Sequence, residues 1–229
     1  MRNFYPYVTR DLDLCAATKH DVSVAGNALH VTPLFPAKNS ASPELGILRY
    51  RLEDGNVFIQ ILRGGFDVSG EEIVKRKQIY RWKEYDLSLE VMHPVLCLQE
   101  KVAGVCRREQ RGRQDIRHLL MALQFVPSFI AERVTDSDSS EVLKMSQRVI
   151  DIAEGRHGMM CYMKRRLRME DAIPTEALAK SQSRKLINFA NQEYPRRLKA
   201  LELRREREVQ KAYQRTRSQG ITGSITSLI

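Results

Sequence analysis

The chain has 229 residues, of which 42% are hydrophobic, so it can form a packed core and is not expected to be disordered throughout. Its 38 Lys and Arg residues against 28 Asp and Glu give a net charge of +10, which favours a polyanionic partner such as nucleic acid or a nucleotide. The alternative is a basic, soluble surface with no such partner. A run of about 18 apolar residues is absent from the sequence, so no membrane partner is expected.

The four cysteines of the chain are widely scattered and form no C-x-x-C pair, and Met1 is not followed by the apolar segment of a secretory signal. These features predict a cytoplasmic protein with free buried thiols. His157 and Cys161 are four residues apart and can share a helical face. A closed zinc site needs four ligands, and no second ligand pair is present, so a zinc site is not expected.

The first part of the chain, residues 1–92, predicts a small sheet. A strand is expected over 8–16, because Leu12 and Leu14 alternate with Asp11 and Asp13, and the leucines should be buried. The Asp54-Gly55 step predicts a hairpin between two further strands. The other expectations are a proline-containing loop over 32–46, hairpin strands over 45–52 and 56–62, a connecting segment over 66–80, and a strand over 85–92.

The second part, residues 93–219, predicts helices, and 220–229 predict a flexible tail. His93-Pro94 begins the first helix, because proline is tolerated in the first helical turn. The apolar residues then recur at helical spacing. The expected helical faces are Val95, Leu98, Val102 and Cys106; Ile116, Leu119, Leu120 and Leu123; and Val142, Met145, Val149 and Ile152, followed by helical patterns over 159–168, 175–191 and 194–217. The predicted fold class is α+β.

The motif with the clearest chemistry is Thr9-Arg10-Asp11-Leu12-Asp13-Leu14. Residues two apart on a strand share one face, so Asp11 and Asp13 are expected to project together. Carboxylate oxygens are ligands that Mg²⁺ prefers, and a bound Mg²⁺ can bridge nucleotide phosphates. The alternative is a pair of solvent-facing acids on an edge strand.

This motif resembles the acidic strand of the nucleotidyltransferase superfamily, in its AbiEii-type toxin branch. Two later segments match in order and spacing: His93-Pro94-Val95-Leu96 running into Lys101, and Arg113-Gln114-Asp115-Ile116 at the start of the next helix. The resemblance covers about residues 8–123. It implies a small mixed sheet of polymerase-β-like type followed by helices. It also implies transfer of a nucleotide from an NTP to an RNA or protein acceptor.

The resemblance assigns roles to individual residues. Asp11 and Asp13 would hold Mg²⁺, and Arg10 and Lys101 would bind the NTP. Asp115 would accept the acceptor's proton or orient Lys101. Relatives include toxins of toxin–antitoxin pairs, some acting on tRNA, so an antitoxin is an implied partner. The alternatives are a solvated lysine at Lys101 and a helix N-terminal charge at Asp115.

Three departures from the family pattern bear on activity. The glycine-rich phosphate turn expected before the acidic strand is absent from the residues preceding Asp11. Gln60 stands where the third carboxylate is expected, and a neutral amide is a poor magnesium ligand. His118 stands where relatives more often have an acid. The alternative function is therefore a catalytically degenerate scaffold that binds nucleic acid or a protein.

The last predicted helix, 194–217, contains nine basic and three acidic residues. Cations along one helix can neutralise phosphates, and Arg204, Arg205 and Lys211 are the candidate nucleic-acid contacts. Tyr194 and Tyr213 could add base stacking. The alternative is a solvated helix with mixed ion pairs, as in a purely structural basic protein.

Overall fold

The computed structural model describes residues 11–38, 44–53, 55–110, 113–136 and 138–218. The chain divides into two compact units, Met1–His93 and Pro94–Ile229. The first contains the small sheets and the second is helical, so the fold is α+β. Arg10, the predicted strand residues 8–10 and the predicted tail 220–229 lie outside the described residues.

Unit one is built on a three-stranded sheet of β1 (Asp11–Cys15), β2 (Glu44–Leu52) and β3 (Gly55–Leu62). The strand order is β1-β3-β2, with β1 parallel to β3 and β2 antiparallel to it. The predicted β2–β3 hairpin is present, and Gly55 has a φ of +145°, a conformation that favours glycine. The sheet is therefore mixed, with β1 at one edge.

Helix α1 (Lys19–Ala28) follows β1 and was not predicted. Its N-terminus is capped by Thr18, whose hydroxyl accepts from the Asp21 N–H, while Asp21 accepts from the Thr18 N–H at 2.8 Å. Val22 of α1 packs against the sheet core, whose other buried members are Leu45, Leu48, Ile59 and Ile61. The local signal for this helix was the Thr-x-x-Asp capping pattern.

The prediction that the leucines of β1 are buried is wrong for Leu14, which is 41% exposed. Its partner across the parallel pairing, Ile61, is buried. Among the described strands, β1 lies at the edge of the sheet and pairs with β3 alone. Side chains of an edge strand are less covered than those of a central strand.

The segment 66–80 contains more regular structure than the predicted connection. Short strands β4 (Gly64–Gly65) and β5 (Val68–Ser69) precede helix α2 (Gly70–Lys75). Ser69 caps α2 by accepting the Glu72 N–H at 3.1 Å. The ribbon β6 (Gln78–Trp82) and β7 (Leu87–Val91) follows, and β7 agrees with the strand predicted over 85–92.

Unit two begins with α3 (Pro94–Arg107), as the His93-Pro94 step predicted. Its apolar core includes Leu98, Leu119, Val149 and Leu186, all of them completely buried. The remaining helices are α4 (Asp115–Asp136), α5 (Ser139–Glu154), α6 (Arg156–Arg165), α7 (Thr175–Ala179), α8 (Arg184–Asn188) and α9 (Tyr194–Ser218), with a 3-10 turn at Met169–Ala172 and a π turn at Phe189–Glu193.

The helical faces predicted in unit two are largely correct. Val142, Met145 and Val149 of α5 are buried, whereas Leu120 of α4 is 42% exposed. The single helical pattern over 175–191 is wrong, because α7 and α8 are separate helices. The break contains Ser181 and Ser183, and the Ser181 hydroxyl donates to the Ser183 carbonyl at 3.3 Å, a local bond that competes with the helix.

Candidate functional site

The predicted acidic site begins on β1, at the edge of the sheet. The parallel register sets Asp11 opposite Phe58 and Asp13 opposite Gln60. Directly opposed residues on neighbouring strands share a face, so Gln60 is the lateral neighbour of Asp13. The side chain of Asp13 is exposed to solvent. An exposed carboxylate on a hydrogen-bonded strand is accessible to a hydrated cation.

Gln60 limits the negative charge on the face of the sheet that carries Asp13, because it is a neutral residue. An amide oxygen can ligate a hard cation, but it contributes no formal charge and cannot accept a proton at neutral pH. Within the described parts of the chain, no cluster of three or more His, Cys, Asp or Glu side chains is placed to hold a metal. On β1, the described carboxylate is that of Asp13, which is exposed.

Lys101 lies on α3 in unit two, and its ammonium is 2.9 Å from the Glu100 carboxylate. The side chain of Lys101 is 28% exposed. An exposed phosphate could compete for this lysine, because ion pairs close to the surface are weak. The position is compatible with the predicted phosphate contact and equally with a lysine on a helix flank.

Asp115 is the first residue of α4 and is held by two side chains. Arg113 donates from Nε at 2.6 Å and from Nη2 at 3.3 Å, and Gln110 donates at 3.3 Å. Burial raises the pKa of Asp115, but the hydrogen bonds and charge of Arg113, with those of Gln110 and Arg108, outweigh it and hold the pKa below its ordinary value. A carboxylate with a lowered pKa is a weak proton acceptor, so this geometry favours an orienting or capping role.

The three predicted nucleic-acid contacts on α9 have different surroundings. Arg205 is only 2% exposed and donates to both Glu170 oxygens, at 2.5 and 2.9 Å. Its guanidinium is enclosed within unit two, so it is not the surface contact we expected. Arg204 is exposed and donates to the Glu154 carbonyl at 2.8 Å. Lys211 is exposed and pairs with Glu208 at 2.8 Å.

Some of the exposed cations of α9 lie on the side of the helix away from its buried residues. Leu201 and Arg205, four residues apart, mark the buried face. The exposed face, which we call the α9 basic face, has helical spacing and consists of Arg196, Lys199, Arg207 and Lys211. The sequence shows that this helix is rich in basic residues. Which of them belong to the α9 basic face is known only from their exposure in the structure.

The predicted residues belong to both units. Asp11, Asp13 and Gln60 lie in unit one, whereas Lys101, Asp115 and the α9 basic face lie in unit two.

Sequence reasoning missed a further cluster in unit two. Cys106 and Cys161 are 55 residues apart in sequence but bring their sulfurs to 3.4 Å. Their spacing carried no signal, because the contact joins two different helices.

Comparison of this chain with protein-family models, with curated proteins and with solved structures found no match. Over the residues that the structure describes, no helix has both the length and the apolar character needed to cross a membrane.

Proposed function

We propose that this chain is a nucleotidyltransferase-like protein that transfers a nucleotide from an NTP to an RNA or protein acceptor with Mg²⁺. The observation that supports the proposal is the exposed Asp13 on edge strand β1, in the Asp-x-Asp motif and beside β3. The mixed sheet followed by helices is compatible with a polymerase-β-like arrangement. A toxin role with an antitoxin partner, and tRNA as acceptor, belong to the same proposal.

In this proposal, different residues of the chain bind the metal, bind the NTP and orient the reacting groups. The carboxylates of Asp11 and Asp13 would hold Mg²⁺, which when bound neutralises phosphate charge during in-line displacement. Arg10 would bind the NTP. In unit two, Lys101 would exchange its contact with Glu100 for a phosphate. Asp115, kept ionised by Arg113, would orient a cation or the acceptor.

Thermal unfolding with Mg²⁺ and each NTP tests the acidic site. We expect the midpoint of the parent to rise by roughly 5–10 °C at a ligand concentration near 100 times Kd, because only the folded chain binds. The Asp11→Ala/Asp13→Ala variant should show no rise, and Glu53→Ala, which removes an exposed acid from the same unit, should behave like the parent. The absence of a rise in the parent at saturating NTP would contradict the proposal.

A second candidate function is RNA binding by a catalytically inactive scaffold. It is favoured by the neutral Gln60 beside Asp13 and by the α9 basic face. Phosphate contacts made by exposed cations release counterions, so this function requires binding that weakens with salt. It does not require Asp11 or Asp13, and this separates it from nucleotidyl transfer.

Salt titration of binding to single-stranded RNA tests this second function. We expect the Arg196→Gln/Arg207→Gln variant to bind more weakly and to lose about 0.7 of the salt slope for each phosphate contact removed. Lys180→Gln/Arg184→Gln removes two exposed cations outside α9 and should leave the slope unchanged. Equal losses in both variants would show that net charge, and not this face, governs binding.

A further inference from the structure

Two thiols of unit two form a close pair. Cys106 lies in the last turn of α3 and Cys161 lies in α6, and their sulfurs are 3.4 Å apart. Neither is in a disulfide. A disulfide bond is about 2.05 Å long, so its formation requires these sulfurs to move about 1.3 Å closer together.

The two thiols differ in access. Cys161 is 1% exposed and its sulfur lies 3.8 Å from the Val102 carbonyl, whereas Cys106 is half-buried and donates to the His157 carbonyl at 3.3 Å. A reagent from solution therefore reaches Cys106 first. Cys161 is positioned behind it as a second, resolving thiol.

The pair lines a cavity of about 160 Å³ with three cationic residues at its surface. Arg108, Lys164 and Arg165 are all exposed cavity residues, so the opening favours an anionic ligand. Gln110 also lines the cavity, and its Oε1 atom is buried without a hydrogen-bond partner among the described residues. That oxygen can accept an N–H from a ligand, and an unsatisfied buried acceptor is unfavourable when left alone.

We propose that Cys106 and Cys161 are a redox-active dithiol that is oxidised by an anionic low-molecular-weight disulfide carrying amide groups, of which glutathione disulfide is the probe. This inference concerns a different site from the proposed nucleotidyl transfer and does not depend on it. The cavity supplies cations for the carboxylates of the probe and an acceptor for its amide N–H groups.

The reaction proceeds in two thiol–disulfide exchanges. Cys106 loses its proton and its thiolate attacks one sulfur of the probe, forming a mixed disulfide and releasing one glutathione thiolate, which takes up a proton. Cys161 then loses its proton and attacks the Cys106 sulfur, releasing the second glutathione. Overall, two protein thiols are oxidised to one disulfide, and one glutathione disulfide is reduced to two thiols.

The order of attack agrees with the electrostatics of the pair. The hydrogen bond with Cys106 raises the pKa of Cys161, and burial raises it further, while Arg165 and Lys164 act in the opposite direction. Cys161 therefore keeps its proton while Cys106 reacts. Formation of the mixed disulfide removes that Cys106 thiol partner and prepares Cys161 for the second step.

The full chain is incubated with glutathione disulfide, remaining thiols are blocked with N-ethylmaleimide, and the digest is analysed by mass spectrometry. We expect a Cys106–Cys161 linked peptide as the main product, with Cys15 and Cys97 recovered as blocked thiols. Oxidation of Cys15 or Cys97 at the same rate, or no linked peptide at a large excess of the probe, would overturn the proposal.

Single-cysteine variants separate the two steps. Cys161→Ser should accumulate the mixed disulfide on Cys106, and Cys106→Ser should leave Cys161 unmodified. Cys97→Ser, which removes another half-buried thiol of α3, should form the link at the parent rate. Modification of Cys161 in the Cys106→Ser variant at the parent rate would contradict the assigned order.

Charge variants test the cavity itself. Lys164→Gln/Arg165→Gln should slow the reaction with glutathione disulfide by about tenfold and leave the reaction with the uncharged hydroxyethyl disulfide unchanged. Lys180→Gln, an exposed cation elsewhere in unit two, is the control and should affect neither rate. Equal slowing with both reagents would mean that the substitutions disturb the thiols and that the cavity does not select an anion.

Discussion

Replacing Glu170 by Gln should lower the free energy of unfolding by about 3–5 kcal/mol, because it leaves a buried guanidinium without its counter-charge. Glu170 is 1% exposed and accepts two hydrogen bonds from Arg205, which is itself 2% exposed. The remaining support for the Arg205 charge would be the Tyr162 ring, whose centroid is 4.1 Å from the guanidinium carbon. A cation–π contact is worth about 2 kcal/mol when desolvated and does not replace the ion pair.

Glu202 provides a matched control for the Glu170 substitution. It accepts from Arg168 at 3.0 Å, and Arg168 also contacts Glu170 at 2.9 Å, so both acids belong to one network. The Glu202 side chain is 48% exposed, however, and exposed pairs contribute about 0–1 kcal/mol. We expect Glu202→Gln to change the free energy of unfolding by less than about 1 kcal/mol. Urea titration followed by circular dichroism measures this free energy for the parent and for both variants. Equal losses of stability in the two variants would contradict the prediction that burial makes the Glu170 ion pair the more important of the two.

The Glu170 pair also predicts how stability depends on pH. Burial raises the pKa of Glu170, but the hydrogen bonds and charge of Arg205 and the charge of Arg168 outweigh it, so the pKa lies below its ordinary value. Between the two values the unfolded chain binds more protons than the folded chain, so stability rises with pH there. The contribution is complete above about pH 5 and is lost as pH falls through the lowered pKa.

Comparison of Glu170→Gln with the parent isolates this pH effect from other carboxylates. Asp115 also has a lowered pKa, but it is present in both proteins and cancels in the difference. We expect the stability difference between parent and variant to shrink steadily as pH is lowered below about 5. A difference that stays constant between neutral and acidic pH would show that the pKa of Glu170 is the same in the folded and the unfolded chain, which would contradict the prediction.

Local spacing made the helical core of unit two predictable from the sequence. Val142, Met145 and Val149 of α5 recur at three- and four-residue intervals and are all buried. The start of α3 at Pro94 was predictable for a similar reason, because proline is restricted to particular helix positions. Both features depend on residues close together in the chain.

The features that the sequence could not provide depend on contacts between distant residues. The charged neighbours of Arg205 predict that it lies on a basic surface, yet Glu170, 35 residues earlier, pairs with it inside the fold. The 3.4 Å approach of Cys106 and Cys161 is likewise a contact between helices. Residue type and periodicity predict which face of a helix or strand is buried. They do not identify which residue of another helix or strand packs against that face.

The strand that carries Asp11 and Asp13 was predictable from the sequence only in part. The Asp-x-Asp alternation predicted a strand, and Gly55 predicted the hairpin that supplies β3. The parallel pairing of β1 with β3 then sets Gln60 beside Asp13, a relation between residues 47 positions apart. Leu14 is exposed, although alternation alone predicts it to be buried.

Replacing Gly158 by Ala should lower the free energy of unfolding by about 2 kcal/mol, although alanine is the better helix former. Gly158 lies in the first turn of α6, where a Cβ atom would overlap the Ile152 carbonyl oxygen and lie 2.8 Å from that of Ala153. These are backbone atoms of α5, so relief requires the two helices to separate. Overpacking of this kind costs about 1–3 kcal/mol and exceeds the helix-propensity gain of about 1 kcal/mol when the neighbours are rigid.

Gly155→Ala is the matched control, because it makes the same chemical change three residues earlier. A Cβ atom there would lie 3.2 Å from the Asp151 carbonyl oxygen, so only a shift of a few tenths of an ångström is needed. Gly155 also has a φ of −66°, which alanine adopts without strain. We expect urea titration to give a loss below about 1 kcal/mol for Gly155→Ala. A Gly158→Ala variant as stable as the parent would show that α5 and α6 can separate without loss of packing, and that their junction is not held rigidly by the core.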